Sequence, residues 1–143
     1  MTYLLDVNVL ICVDRSAHVH HDAAHAWFES RGRHSWATCP LTENGVLRVL
    51  GHPKYPNSTG NPGEVFPLIA RLRSLPGHIF WPDSVSLLDS KRIDPRRLVT
   101  PGHVTDIYLL ALAKSNDGQL ATLDRRLLTD EVPNGQRYLH ILF

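Results

Sequence analysis

The sequence has few cysteines and no long apolar run, and each absence excludes a class of protein. It contains 2 cysteines, Cys12 and Cys39, which are too few for a disulfide framework and lack C-x-x-C spacing. The longest uninterrupted apolar stretch, residues 107–113, is far shorter than the roughly 20 residues that span a bilayer. The N-terminus lacks the basic segment of a signal peptide, and Asp6 interrupts its apolar run. We therefore expect a soluble cytoplasmic protein with reduced, buried thiols.

A large excess of one sign of charge is also missing. The 15 Lys and Arg residues nearly balance the 14 Asp and Glu residues, which gives a formal net charge of +1. This balance does not by itself indicate a nucleic-acid-binding protein, but it is compatible with a local basic patch. The length of 143 residues and the apolar fraction of 43% suit one globular domain over residues 1–143.

Short apolar runs alternate with longer segments of helical period. The short runs predict strands at residues 2–5, 35–39, 78–82, 119–124 and 138–143. Helices are predicted from Val7 and at residues 21–30, 40–50, 64–75 and 104–115, with Pro67 in a first turn or at a kink. Residues 52–63, rich in Pro, Gly and Asn, predict a loop. This alternation predicts a three-layer α/β/α domain around a central, mostly parallel sheet of about five strands.

Four acids that are far apart in sequence are predicted to meet at one edge of this sheet. Asp6 and Asp124 close the first and fourth strands, whereas Glu43 and Asp106 lie near the N-termini of helices. In a parallel α/β sheet the carboxyl ends of strands and the N-termini of the helices share one edge, where ligands bind. Asp117 is expected at the opposite edge, so the abundance of acids does not by itself create the cluster.

This grouping of acids predicts a metal site. Neighbouring carboxylates repel one another, which raises their pKa values unless a cation compensates the charge. Ligand sets made only of oxygen favour Mg²⁺ or Mn²⁺ over zinc, and such ions support phosphoryl transfer. Taken singly, each acid has an ordinary alternative as a helix cap, a partner of a helix dipole or a member of a surface ion pair. The coincidence of all four at one edge favours the metal site.

Four segments, LLDVNVLI, LTENGVLRVL, VTDIYLLALA and LATLD, carry a resemblance that covers essentially the whole chain. In this order and spacing they resemble the PIN-domain nucleases and, among them, the VapC-like toxins of type II toxin–antitoxin pairs. The resemblance implies a Mg²⁺-dependent endoribonuclease, with Mn²⁺ as a substitute, whose catalytic and metal-binding residues are Asp6, Glu43, Asp106 and Asp124. It also implies that Asn8 and Thr122 orient a carboxylate, a metal-bound water or a phosphate. Family members commonly form homodimers and are silenced by an antitoxin whose tail occupies the active-site groove.

Other polar clusters carry weaker signals. Arg125 and Arg126, beside Asp124, are candidates for contact with RNA phosphates, as is a second basic cluster at residues 91–97. The alternative for the second cluster is a solvated surface. In the segment HVHHDAAH, His21 and His25 share one helix face, but the sequence gives no evident third or fourth ligand for a zinc site.

Other classes of protein also place acids at this edge of a sheet. A phosphatase or dehalogenase with the pattern DxDx(T/V) would need a second acid where Asn8 stands and Thr or Val where Leu10 stands. A phospho-receiver domain would need an acidic pair after the first strand and a lysine after the fifth strand, and the sequence offers no such lysine. A PIN-type RNA-processing nuclease and a catalytically inactive binding domain keep the fold and stay as alternatives.

Overall fold

A central parallel sheet organises the fold of the computed structural model, which describes residues 1–15, 18–56 and 60–143. The strands are β1 (Tyr3–Leu5), β2 (Trp36–Thr38), β3 (His78–Phe80), β4 (Gln119–Thr122) and β5 (Leu139–Ile141). They form a sheet of 5 strands in the order β3-β2-β1-β4-β5, and each neighbouring pair is parallel. β1 and β4 are therefore central neighbours, with Leu5 opposite Ala121.

Helices cover both faces of the sheet. They are α1 (Val7–Asp14), α2 (His21–Ser30), α3 (Pro40–Leu50), α4 (Pro62–Arg73) and α5 (Val104–Ser115). One apolar cluster joins Leu5 to buried residues of α1 through α4, and a second joins Leu4 to α5. Because successive side chains of a strand point to opposite faces, Leu4 and Leu5 contribute to different layers. The predicted three-layer α/β/α architecture is confirmed.

Very short connections direct two helix N-termini to one edge of the sheet. Asp6 alone separates β1 from α1, and Cys39 alone separates β2 from α3. Pro40 occupies the first turn of α3, where its missing N–H removes no helical hydrogen bond. The two helices pack closely at Gly45, since a Cβ atom there would lie 2.6 Å from Cγ2 of Val7. These connections place Asp6 and the start of α3 beside each other.

Several element bounds differ from those predicted. β2 and β4 are shorter than their apolar runs, because residues at the strand ends enter turns and caps instead of the ladder. The predicted loop at residues 52–63 ends early, since Asn61 caps α4 and its side chain accepts from the N–H of Glu64. Residues 57–59 of that loop lie outside the described residues. Pro67 lies inside α4, beyond its first turn, and the helix continues through it.

A side-chain contact fixes the edge strand β5 to α2. Nε1 of Trp27 donates to Nε2 of His140 over 3.0 Å, and the two rings stack with centroids 5.6 Å apart. Burial, and secondarily the charge of Arg31, lower the pKa of His140, so its ring is held in the neutral form that can accept this bond. Over the described residues, we find no helix with the length and apolarity to cross a membrane.

Candidate active site

The carboxyl edge of the two central strands forms the base of the site. Asp6 directly follows β1, and its backbone N–H donates to the carbonyl of Ala121 in β4 over 3.0 Å. Asp124 lies two residues beyond Thr122, the last residue of β4. The strand order therefore brings two of the predicted acids to adjacent positions.

Asp6 is the most buried of the four acids and is held by both carboxylate oxygens. It caps α1, with Oδ1 accepting from the N–H of Val7 over 2.8 Å. Oδ2 accepts from Oγ1 of Thr122 over 2.8 Å. Only 8% of the surface of Asp6 is exposed. Burial raises the pKa of Asp6; the Thr122 and Val7 bonds oppose that rise, and the charge of Asp124 adds to it.

Thr122 and Asn8 form a small polar network behind Asp6. Thr122 is fully buried, and its hydroxyl oxygen accepts from the N–H of Asp124 over 3.1 Å and from Nδ2 of Asn8 over 3.3 Å. Oδ1 of Asn8 accepts from the N–H of Leu123 over 3.2 Å. The network thus links the start of α1 to the chain that leaves β4, and it fixes where the Asp6 carboxylate points.

Asp106 approaches the same edge from the other face of the sheet, because it lies in the first turn of α5. Burial raises the pKa of Asp106, and the charges of Asp6 and Asp124 raise it further, while His103 opposes them. The charges of Asp6 and Asp124 therefore act on Asp106 at this edge. Among the described residues, Glu43 is not one of the acids that act on the pKa of Asp106.

Asp124 is exposed and lies in a local turn after β4, at the carboxyl edge of the sheet. Its Oδ1 accepts from the backbone N–H of Arg126 over 2.9 Å. Nε of Arg125 donates to the carbonyl of Phe143 over 2.8 Å, so this guanidinium is directed toward the end of the chain. The side chains of both arginines follow Asp124 on the surface.

Glu43 lies on the same edge, in the first part of α3, but it has its own partners. Its Oε2 accepts from Oγ1 of Thr38 over 2.6 Å. Nη1 of Arg73 lies 3.3 Å from each of its two carboxylate oxygens. His78 reaches the other side of Thr38, with Nε2 2.7 Å from Oγ1. Burial and the charge of Arg73 lower the pKa of His78, and Glu43 opposes that effect.

The chemical type of the donors at this edge suits a hard divalent cation. Asp6 and Asp106 are partly or largely removed from water and repel each other and Asp124, and a cation would relieve that repulsion. All of these donors are carboxylate oxygens, the ligand type that Mg²⁺ and Mn²⁺ prefer. Across residues 1–15, 18–56 and 60–143, no group of three or more His, Cys, Asp or Glu side chains converges closely enough to hold a metal ion. Glu43 is turned to Arg73 in this arrangement.

Sequence reasoning missed several polar residues at this edge. Asp83 follows β3 by three residues, and its Oδ1 accepts from the hydroxyl of Tyr108 over 2.7 Å. The rule that identified Asp6, an acid after a strand, also applies to Asp83 and would have found it. The contacts of Arg73 and His78 with the Glu43–Thr38 pair depend on how α4 and β3 pack, and no sequence motif signals them.

The two weaker clusters make contacts of an ordinary kind. Three arginines of the cluster at residues 91–97 pair with acids: Arg92 with Asp89 at 3.4 Å, Arg96 with Asp94 at 3.1 Å and Arg97 with Asp94 at 3.6 Å. In the histidine segment, Nδ1 of His21 lies 2.7 Å from the carbonyl oxygen of Cys12, and the ring of His21 packs on that of His25. These contacts favour a surface ion-pair network and local packing.

Comparisons with known proteins identify the family of this chain. The family model of the PIN domain matches residues 3–131. Ribonuclease VapC44 of Mycobacterium tuberculosis is 42% identical over 137 residues, which are 96% of each chain. Ribonuclease VapC39 of the same organism is 40% identical, over 89% of this chain and 91% of its own.

A solved structure supports the fold independently. The crystal structure of VapBC2 from Rickettsia felis bound to a DNA fragment from their promoter contains a chain that superposes with a TM-score of 0.61. The superposition covers 99% of this chain and 98% of that chain at 11% sequence identity, so it bears on the fold alone. Together with the family match and the VapC relatives, it shows that this chain belongs to the PIN-domain family, in its VapC-like group.

Proposed function

We propose that this protein is the toxin of a type II toxin–antitoxin pair, a Mg²⁺- or Mn²⁺-dependent endoribonuclease that hydrolyses RNA phosphodiester bonds. The observation that carries the proposal is the placement of Asp6, Asp106 and Asp124 at the carboxyl edge of the central strands. Burial, and secondarily the like charges there, raise the pKa of Asp6 and of Asp106, which supports it. Relatives that are about 40% identical are named ribonucleases, which supports RNA as the substrate class.

The side chains of this chain would divide the work as follows. Asp6, Asp106 and Asp124 would hold the divalent cation, and Glu43 would complete the acidic quartet. When bound, the cation would supply an activated water and stabilise charge on the leaving oxygen. Thr122 and Asn8 would hold Asp6 in its direction, because their hydrogen bonds leave its carboxylate little freedom to rotate.

Binding of RNA would depend on groups beside the acids. Arg125 and Arg126 follow Asp124 on the surface, where a guanidinium can contact a backbone phosphate. Such contacts would carry little sequence information and would weaken with salt. They would also offset the repulsion between the acidic site and the RNA backbone.

We further propose a cognate antitoxin partner, a homodimer, a cytoplasmic location and a single domain over residues 1–143. The antitoxin is supported by the solved VapBC2 neighbour, whose chain shares this fold. A groove beside Glu43, lined by Leu47, Phe66 and Ile69, is an apolar surface next to the acids that an antitoxin segment could cover.

The nuclease activity is tested by incubating the purified chain with total cellular RNA in the presence of Mn²⁺ and in EDTA. The Asp6→Asn variant is incubated with Mn²⁺ in the same way. We expect discrete fragments with Mn²⁺ alone, and their ends would identify the target. Asp117→Asn is the matched control, since it removes the same charge at the opposite edge, in a turn with a φ of 54° that Asn tolerates. Cleavage that survives in Asp6→Asn, or that Asp117→Asn also abolishes, would contradict the proposal.

The toxin role needs a separate test in cells. Induced expression of the wild-type chain should arrest growth, and expression of Asp6→Asn at the same level should not. Co-expression of a short reading frame from the same operon should restore growth if it encodes the antitoxin. Cleavage in vitro without any growth arrest would instead support an RNA-processing nuclease of the same family.

A further inference from the structure

The Glu43 carboxylate is already engaged before any cation is considered. The Thr38 hydroxyl donates its single proton to Oε2 of Glu43, so the bond between Thr38 and His78 requires Nε2–H of His78 as the donor. A hydrogen-bond chain therefore runs from β3 through β2 to Glu43. It orients the carboxylate toward the α4 side of the edge, where the Arg73 guanidinium lies.

Arg73 is itself anchored. It lies in the last turn of α4, and its guanidinium carbon lies 4.8 Å from the centroid of the Phe80 ring. This is within the range of a cation–π contact. The guanidinium thus contacts both the Phe80 ring and the two oxygens of Glu43, and the Glu43 side chain is only 18% exposed. Partial burial of the acid strengthens its attraction to Arg73 over that of a fully solvated pair.

We propose that Arg73 is a positioning residue that competes with the divalent cation for Glu43. This inference rests on the proposed function, since it assumes that the aspartates bind the cation. A guanidinium 3.3 Å from both oxygens neutralises the carboxylate and repels a second positive charge close by. Recruitment of Glu43 to the cation therefore requires the ion pair with Arg73 to open. Arg73 sets the affinity of the site for the metal and makes Glu43 the last of the four acids to join.

The test is a titration of the metal-free protein with Mn²⁺, followed by the electron paramagnetic resonance signal of the free ion. Arg73→Gln should tighten Mn²⁺ binding about two- to fivefold, the range that corresponds to losing a partly exposed ion pair. Arg73→Lys, which keeps the positive charge, should stay near the wild type. Arg71→Gln is the matched control, because it removes the same charge from the same turn of α4.

A second background separates competition for Glu43 from general repulsion of the cation. In Glu43→Gln, the further change Arg73→Gln should alter Mn²⁺ affinity no more than Arg71→Gln does. The inference is overturned if Arg73→Gln binds Mn²⁺ no more tightly than Arg71→Gln, or if its gain persists undiminished in Glu43→Gln.

The same titration distinguishes failure of this inference from failure of the proposed function. Wild-type binding that disappears in Asp6→Asn supports the metal site, and an inert Arg73→Gln would then remove only the role of Arg73. If the wild type binds no Mn²⁺, both the metal-dependent activity and the competition are wrong. Circular dichroism on each variant checks that the fold is kept, because a loosened fold would lower Mn²⁺ affinity and could not mimic the expected gain.

Discussion

Replacing Thr122 by valine should test whether the fold depends on the hydroxyl behind Asp6. The side chain is fully buried, and valine has nearly the same shape, so the substitution removes hydrogen bonds without opening a cavity. The hydroxyl donates to Oδ2 of Asp6 over 2.8 Å and accepts from the N–H of Asp124 over 3.1 Å. Thr122→Val leaves a buried carboxylate oxygen and a backbone donor without these partners.

The hydroxyl also accepts from Nδ2 of Asn8 over 3.3 Å, but that bond is long and Asn8 is partly exposed, so the size of the effect follows mainly from the other two bonds. A hydrogen bond to a charged group contributes about 1.5–3 kcal/mol, and one between neutral groups about 0.5–1.5 kcal/mol. Water can replace Thr122 at the N–H of the exposed Asp124 but has little access to Asp6, so the bond to Asp6 dominates. We therefore expect the metal-free protein to lose about 2–4 kcal/mol of unfolding free energy, or roughly 5–15 °C in Tm.

Urea denaturation in EDTA, followed by tryptophan fluorescence, measures this loss without any contribution from metal binding. Thr122→Ser is the matched variant, since it keeps the hydroxyl and removes one methyl group, at about 1 kcal/mol. If valine and serine at this position destabilise the protein equally, the hydroxyl does not hold Asp6, and the account of how the site is oriented is wrong.

Three further predictions concern charge and packing. Because the pKa of Asp106 is raised in the fold, its ionised form destabilises the metal-free protein, so Asp106→Asn should raise Tm in EDTA at pH 7. That gain in Tm should fade as the pH falls through the folded-state pKa of Asp106, and a gain that is independent of pH would refute the charge argument. Added Mn²⁺ should raise the Tm of the wild type but not that of Asp106→Asn. Because the pKa of His140 is lowered, the wild type should lose stability as the pH falls from the ordinary value near 6.5 through the folded-state pKa. His140→Gln keeps an acceptor for Trp27, so its unfolding free energy from urea denaturation should fall less than that of the wild type over this pH range. Equal pH profiles for the two proteins would exclude His140 as a source of the loss. Gly45→Ala should cost about 1–3 kcal/mol by collision with Val7, and adding Val7→Ala should make the penalty of the alanine smaller; additive losses in urea denaturation would rule out the collision.

The sequence predicted the layers and the sheet well, because the relevant signals are local. β1 is apolar on both faces, and each predicted run contains one of the observed strands. Apolar runs mark buried parallel strands without recording where the ladder ends, so bounds such as those of β4 differ from the prediction. The start of α4 at Pro62 shifted for another reason: the capping side chain of Asn61 lies within a segment whose composition predicts a loop.

The candidate site was less predictable from sequence than the fold. The rule for parallel sheets places Asp6, Asp106 and Asp124 at one edge, because strand ends and helix starts meet there, and the charges of Asp6 and Asp124 act on the pKa of Asp106. It could not predict how far apart the side chains lie, and among the described residues they do not converge into a group that could hold a metal ion. It could not predict that Glu43 pairs with Arg73, since that contact depends on the packing of α4 against α3. Nor did it predict that Arg125 reaches the carbonyl of Phe143, which depends on where the chain after β5 lies.

The direct attachment of Asp6 to the central strand has a consequence for amide hydrogen exchange. The N–H of Asp6 bonds to Ala121 between the two innermost strands, so its release requires the middle of the sheet to separate. That amide should exchange at the slow rate of global unfolding, whereas amides of α4 and the edge strand β3, on the Glu43 side, can exchange through smaller openings. The backbone that carries Asp6 should therefore keep its position during openings that release the amides around Arg73 in α4.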